Sequence, residues 1–413
     1  RDVLGSRGLG DVYKRQGYNT MKSANIYLDE MTKHYIDTYK KDDFNLLLSK
    51  LDRQEEVLKE AYGVGKREKY KDYRQNKIDD LYKRIGNSFL SEIKDYIKQE
   101  DRLKNDNIFD EDEYTEYEFA TLREMSRAYV KIQDGCNNFC SYCKIPFARG
   151  KSRSRKKENV IKEIKKLVEE GFKEFILIGI NLGAYGEDLE ENIDFEGLLE
   201  NILQLEGVER VRIGSVYPDK ISDRFIELFK NYKNLMPHIH ISLQSCDDTV
   251  LKMMKRKYGS ELIEERLLKL KNSVENMEYT ADIIVGFPGE TDEMFENSYN
   301  LIKKIGFSGI HIFQYSDREN TVASRLENKI DAKIKKERAD KLEELKHEMA
   351  RIEREKYIGK ELEVLVEEES DGYLFGYSEN YLRVKFKGEQ DLLNKIKKVK
   401  IDKIEKEMLL AYE

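Results

Sequence analysis

Three of the four cysteines in this 413-residue chain fall within eight residues, Cys136, Cys140 and Cys143 of CNNFCSYC, and the fourth, Cys246, lies far downstream. The spacing C-x3-C-x2-C constrains the chain more than any other feature. Three thiolates on one short loop can hold three irons of a cubane 4Fe-4S cluster and leave the fourth iron open, a place for chemistry as well as electron storage. A structural zinc site needs four closed ligands, usually as two separated C-x2-C pairs, and no second pair exists here.

From about Arg123 to Leu326 short apolar strands alternate with helical segments. The strands are expected at 128–133, 174–180, 208–216, 238–244, 279–286 and 307–315, and the helices at 156–170, 194–204, 222–232, 260–276 and 291–304. Such alternation implies parallel pairing through right-handed crossovers, and six units make an open, partial (β/α)6 barrel of the α/β class. In a parallel barrel the chemistry sits on the loops after the C-terminal strand ends. Asn181, Gly183, Tyr185 and Gly186 fall after the second strand, and Ser215, Tyr217 and Pro218 after the third. Gln244, Ser245 and Cys246 follow the fourth, and Gly286, Pro288, Gly289 and Glu290 the fifth. Taken singly, each is an ordinary turn or capping residue. Their recurrence behind a three-cysteine loop marks a cofactor pocket. Cys246 is expected to be a small buried residue. His238 and His240 alternate on one strand and share a face, but no further ligand at similar height is evident, so polar packing is expected of them and of His311.

The loop resembles the cluster loop of radical S-adenosylmethionine (SAM) enzymes, in which SAM chelates the open iron through its amino and carboxylate groups. The wider string YVKIQDGCNNFCSYCKIPFARG, Tyr129 to Gly150, is similar to the methylthiotransferases within that superfamily, as are NLGAYG, LQS followed by DDTVLKMMKRKY, and DIIVGFPGET. The resemblance implies a radical SAM barrel with a 4Fe-4S cluster on Cys136, Cys140 and Cys143. It also implies SAM held near Tyr142, Asn181, Gly183, Ser215, Gln244 and Gly286, with Tyr142 packed on the adenine. The implied activity is addition of a methylthio group to C2 of N6-threonylcarbamoyladenosine at position 37 of tRNA, with an external electron donor. Two alternatives in the same class are isopentenyladenosine in tRNA and a ribosomal-protein aspartate. One from another class is a non-catalytic RNA-binding protein with a structural metal. The chain departs from the family at Cys246, where a glycine is usual, and at Gly214 and Tyr217, where a serine and a glutamate are usual.

Charge and composition set the remaining bounds. Charged residues make up 38% and hydrophobic ones 39%, no apolar run is long enough to span a bilayer, and no signal peptide is visible, so a reducing cytoplasm fits. The net charge of −7 argues against a protein that coats nucleic acid non-specifically. It leaves room for a local patch in Arg149, Lys151, Arg153, Arg155, Lys156 and Lys157, where RNA phosphates are expected.

Residues 1–16 resemble translated adaptor sequence and are set aside. Residues 17–122 hold no cysteine and no proline and show apolar residues at helical spacing, so a charged helical region is expected. Methylthiotransferases normally carry three further cysteines in an N-terminal domain, for a second cluster, and none precedes Cys136 here. The core is expected over 123–330 and a long charged linking helix over 331–356. Short alternating strands over 357–413 predict a small all-β barrel resembling the TRAM domain, with Tyr377, Tyr381, Arg383 and Lys385 as RNA contacts. The sequence leaves the oligomeric state open.

Overall fold

The computed structural model describes residues 113, 114, 116 and 126–412. They fall in one compact unit, Ile108–Glu413. The adaptor-like segment and nearly all of the expected helical region lie outside the described residues.

Strand β1 (Arg127–Lys131) runs into a short antiparallel pair, β2 (Gln133–Asp134) and β3 (Arg153–Ser154), which closes the base of the cysteine loop. Parallel to β1 lie β4 (Glu174–Ile178) and β5 (Arg210–Ile213). A second parallel sheet is formed by β6 (Ser215–Val216), β7 (His238–Gln244), β8 (Glu278–Val285) and β9 (Gly309–Gln314). Only Gly214 separates β5 from β6, and a parallel bridge from Val211 to Leu235 ties β5 to the chain entering β7. The two sheets therefore make one curved wall with six strand positions in sequence order, the partial (β/α)6 barrel that the alternation predicts.

The outer layer is helical. It comprises α1 (Ile145–Arg149), α2 (Lys157–Glu169), α3 (Phe195–Leu203), α4 (Asp223–Asn231), α5 (Asp248–Met253), α6 (Ser260–Ser273), α7 (Asp292–Ile305) and α8 (Ala332–Glu355). Several start where a short polar side chain accepts an otherwise orphaned N–H. Asp194 caps α3 through Gly197, Ser222 caps α4 through Phe225, and Asp247 caps α5 through Thr249 and Val250. On α2 the buried residues Val160, Ile164 and Leu167 recur at helical spacing. They join Val130, Phe175, Leu177, Ile239, Ile241 and Leu243 of the strands in one apolar core. Because side chains alternate along a strand, His238, His240, Ser242 and Gln244 of β7 face the opposite, inner side. The wall thus has an apolar outer face and a polar inner one. The short helices α1 and α5 were not expected from the sequence.

After α8, strands β10 (Glu361–Ser370), β11 (Tyr373–Ser378), β12 (Arg383–Lys387), β13 (Ile396–Glu405) and β14 (Met408–Tyr412) close into a barrel in the order 10-11-12-14-13. All neighbours are antiparallel except β12 and β14. Its own core includes Leu362, Val364, Leu374, Val384, Phe386 and Leu409. This barrel docks on the N-terminal ends of the wall strands. Glu174, the first residue of β4 and fully buried, lies 3.0 Å from Arg127, 2.8 Å from Arg212 and 3.7 Å from Arg210. The same arginines reach across the junction: Arg127 to Glu367 at 2.6 Å, Arg210 to the Glu363 carbonyl and Arg212 to those of Ser378 and Glu379. Tyr357 donates to Glu278 at the start of β8.

Candidate cluster loop and cofactor cleft

The cysteine loop leaves β2 at the opposite, C-terminal end of the wall. Gly135 opens it at φ +70°, and a Cβ there would lie 1.7 Å from the Lys151 carbonyl oxygen, so only glycine fits between the two arms of the loop. Cys136 N–H donates to Gly150 O, and Ser152 N–H to the Asn137 side chain. Ser141 fixes the middle: its N–H donates to Met254 O, its hydroxyl to Met253 O, and its carbonyl accepts from Ala323. Ile145 N–H points at Cys143 Sγ at 3.4 Å, a donor suited to a thiolate ligand. Phe139, in left-handed backbone at φ +47°, and Phe147 stand exposed beside the loop with their rings edge to face.

Gln133 is the hub that attaches this loop to the wall. Its Nε2 donates to the carbonyls of Asp134 and Gly135 and lies 2.9 Å from Ser152 Oγ, and its Oε1 accepts from Asn181 N–H. One buried amide thus sets the cysteine loop against the loop after β4. No local signal marks it, because its partners lie on the loop after β4 and on the returning arm of the cysteine loop.

Burial pushes the Cys136 thiol up to about 11. A thiol so placed has much to gain from a positive ligand, because the thiolate is the form that binds metal. Nearby, Arg256 donates to Tyr142 Oη at 2.7 Å and stacks its guanidinium 4.7 Å from the centre of the Tyr217 ring. Its charge acts on Cys136, favouring the anionic form. Burial pushes the Tyr217 hydroxyl up to about 12 and Tyr142 upward as well, so both stay neutral around the cation. In the string DDTVLKMMKRKY, Arg256 stands between two lysines, and sequence alone does not distinguish it from them.

A cleft opens here, lined by Asn137, Asn138, Cys140, Asn181, Tyr217 and Arg256 among others. Of the expected SAM residues, the structure brings Asn181 to this cleft. Gly183 packs behind it, where a Cβ would lie 2.4 Å from the Lys220 side chain. Gln244 ends β7 in left-handed backbone at φ +67°, is buried, and its Oε1 has no hydrogen-bond partner among the described residues. A strained, orphaned amide at a strand's C-terminal end is what a ligand would relieve. Ser215 sits on β6 in register with His240. Gly286 turns at φ +71°, but it packs against Lys335 of α8 and its N–H is held by Glu290. The Tyr142 ring is edge-on to Phe287 and its hydroxyl is taken by Arg256. In this conformation, therefore, Tyr142 positions a cation within the protein. Cys246 is buried, as expected, with its thiol pushed up to about 12 by burial.

The expected RNA contacts fare differently. Arg153 and Arg155 are buried, not exposed: Arg155 pairs with Glu116 and Glu163, and Arg153 donates to Arg149 O. Arg149 is exposed but paired with Asp134. Tyr381 is stacked between His238 of β7, 4.7 Å away, and Tyr377, 4.6 Å away, with Arg127 and Arg212 against its ring. That geometry corrects the stacking role: these tyrosines join the small barrel to the wall. Arg383 pairs with Glu368, and Lys385 with Glu405. Charges that look available in a sequence are here paired with nearby carboxylates and carbonyls, and the two tyrosines are taken up by the junction between the small barrel and the wall.

Comparison with known proteins matches residues 130–302 to the Radical SAM superfamily and residues 355–411 to the TRAM domain. A third family, MobL relaxases, matches residues 12–135, nearly all outside the described residues. Threonylcarbamoyladenosine tRNA methylthiotransferase MtaB of Bacillus subtilis is 43% identical over 301 residues, 71% of this chain and 66% of that protein. tRNA-2-methylthio-N(6)-dimethylallyladenosine synthase of the same organism is 41% identical over 278 residues, 67% of this chain and 55% of that one. The chain thus spans from about half to about two thirds of the length of these relatives. Among solved structures, coproporphyrinogen III oxidase (HemN) of Escherichia coli superposes with a TM-score of 0.40 at 14% identity, covering 55% of this chain and 54% of that one. The chain belongs to the radical SAM superfamily. Within it, the chain is a member of the methylthiotransferase family, with a radical SAM domain followed by a TRAM domain.

A 4Fe-4S cluster and SAM are the cofactors of that family, and the residues present fit them. Three thiols share one pinned loop, a backbone N–H faces one sulfur, a guanidinium offsets the anionic charge, and an orphaned amide waits at a strand end.

Proposed function

We propose that this chain acts as a tRNA methylthiotransferase, placing a methylthio group on C2 of N6-threonylcarbamoyladenosine at position 37, in the cytoplasm and with an external one-electron donor. The carrying observation is the cysteine loop, pinned by Gln133, Ser141 and Gly135 beside a cleft, in a chain 43% identical to a protein named for that substrate. Cys136, Cys140 and Cys143 would hold the cluster, leaving one iron for SAM. When bound, this pair supplies one-electron cleavage of the SAM S–C bond, releasing methionine and a 5′-deoxyadenosyl radical able to take hydrogen from the adenine. The protein's part is to hold and to exclude. Gln133 and Ser141 keep the loop from opening, Arg256 balances charge at the thiolates, and Tyr217 and Tyr258 wall the cleft against water. A loop base is accessible to such a site because unstacked RNA bases can be splayed into a pocket.

The test is anaerobic reconstitution followed by SAM and a strong reductant. Release of 5′-deoxyadenosine that Cys140→Ala abolishes supports the reading. No cleavage by a protein that still binds tRNA would make it an RNA-binding module. Methylthiolated nucleoside in digested tRNA, assayed with sulfide supplied, reports the transfer half of the reaction. Stoichiometric product from this chain alone would show that a second set of cysteines is dispensable. Parallel incubations with tRNA bearing isopentenyladenosine and with a ribosomal-protein aspartate substrate discriminate the alternatives.

A further inference from the structure

The polar inner face of the wall gathers three residues that the cluster loop does not use. His240 on β7, Asp282 on β8 and His311 on β9 each offer one ligand atom, and these atoms lie within 4.8 Å of one another. The strand register creates this. Asp282 lies directly opposite His311, while His240 lies opposite Thr280, two residues before Asp282 and on the same face. His240 Nε2 is 3.2 Å from Asp282 Oδ2, and the two imidazoles are 5.7 Å apart between ring centres. His240 and Asp282 are both buried, 8% and 4% exposed, in contrast to an adventitious surface cluster.

The other nitrogen of His240 supplies an independent observation. Its Nδ1 is 2.9 Å from Thr280 Oγ1, which also lies 3.1 Å from His238 Nε2. A metal-binding imidazole almost always has its second nitrogen held by such an outer partner, which fixes the tautomer and aims the free nitrogen at the metal. Here the aimed nitrogen faces a carboxylate. Bonds of about 2.1 Å to each of three ligands set neighbouring ligand atoms about 3.0–3.4 Å apart. The His240–Asp282 separation already falls in that range. His311, only partly buried, has to close by roughly 1.5 Å, a side-chain adjustment with no change of strand. Two imidazoles and one carboxylate form a facial set that leaves coordination positions open, and its nitrogen and oxygen donors suit Zn(II), Fe(II) or Co(II).

We propose that His240, Asp282 and His311 form a mononuclear divalent transition-metal site inside the barrel wall, additional to the cluster on the cysteine loop. A metal there would clip three adjacent strands of an open barrel and neutralise a buried carboxylate.

The experiment uses the full chain carrying Cys136→Ser, Cys140→Ser and Cys143→Ser, so that the loop thiols take no metal, and titrates it with Co(II) alone. One Co(II) per chain, with ligand-field absorption that Zn(II) displaces, is expected. His240→Ala should abolish this binding. Thr280→Val, close to isosteric, should weaken it about 10–100-fold through loss of the orienting hydroxyl. Absence of stoichiometric Co(II) from the folded triple variant, judged by far-ultraviolet circular dichroism, overturns the proposal. So does binding that Thr280→Val leaves unchanged, a result that stands even where His240→Ala does not fold.

Discussion

Glu174→Gln should loosen the joint between the two barrels. Glu174 is fully buried and faces three arginines that are themselves 1–2% exposed. Burial by itself would raise its pKa, but Arg212, Arg127 and Arg210 overcome that and hold the carboxyl at about 2. Against an ordinary value near 4.5, that difference corresponds to about 3 kcal/mol of stability at neutral pH. Breaking one partner of a buried ionic group costs about 3–5 kcal/mol because the remaining charge stays buried, so both routes give a similar figure. The sign follows from the depressed value. The stabilisation is complete above pH 4.5 and fades as pH falls towards 2, so wild type and variant should converge in acid. The chain has no tryptophan, so urea unfolding of the cluster-free protein is followed by circular dichroism, with hydrogen exchange reporting on β10 to β12. Exchange should quicken there first, since Arg127 and Arg212 anchor that barrel to the wall. A loss below about 1 kcal/mol, the size of an exposed pair, or a loss unchanged between pH 7 and pH 3, would refute the reasoning.

Gly135→Ala should fold yet take up little iron and sulfide on reconstitution, because its Cβ would meet the Lys151 carbonyl at 1.7 Å and force the cysteine loop apart. Gly372→Ala, at φ +73° with open space around it, is the control: it should cost about 1 kcal/mol in thermal stability and leave the cluster intact. For RNA binding, Lys151→Gln and Lys156→Gln, both exposed, should each reduce the slope of log affinity against log salt by about one if they meet phosphates. Arg155→Gln, whose guanidinium is buried on Glu116 and Glu163, should leave that slope alone and lower the melting temperature, as measured by filter binding and circular dichroism.

The strand-and-helix order was legible because it rests on local signals. The apolar run EFILI and the helical spacing over 194–204 and 222–232 predict their elements with little tertiary help. The cysteine loop was legible because metal ligands on one loop need only sequence spacing. Gln133, Arg256 and the Asp282–His311 neighbours of His240 were not, since each acts with residues many positions away, brought together by strand register or by the turn after α5. Tyr377 and Tyr381 show the converse. Their exposed-looking pattern on the small barrel held no information about the wall that would cover them.

That junction also limits how RNA can meet this protein. The small barrel sits at the N-terminal ends of the wall strands, through Arg127, Glu174, Arg210 and His238, while the cysteine loop leaves the C-terminal end. Between them runs the length of strands such as β8, whose eight residues span roughly 26 Å at about 3.3 Å each. Under the function proposed above, the small barrel therefore lies a strand's length from the base that reacts, and its face at Tyr381 is taken up by the wall. An RNA that touched both would have to lie along the molecule, with the small barrel gripping backbone at a distance while the reacting base enters the cleft near Asn181 and Arg256. In that arrangement the barrel contributes affinity and register, and the cleft alone contributes chemistry.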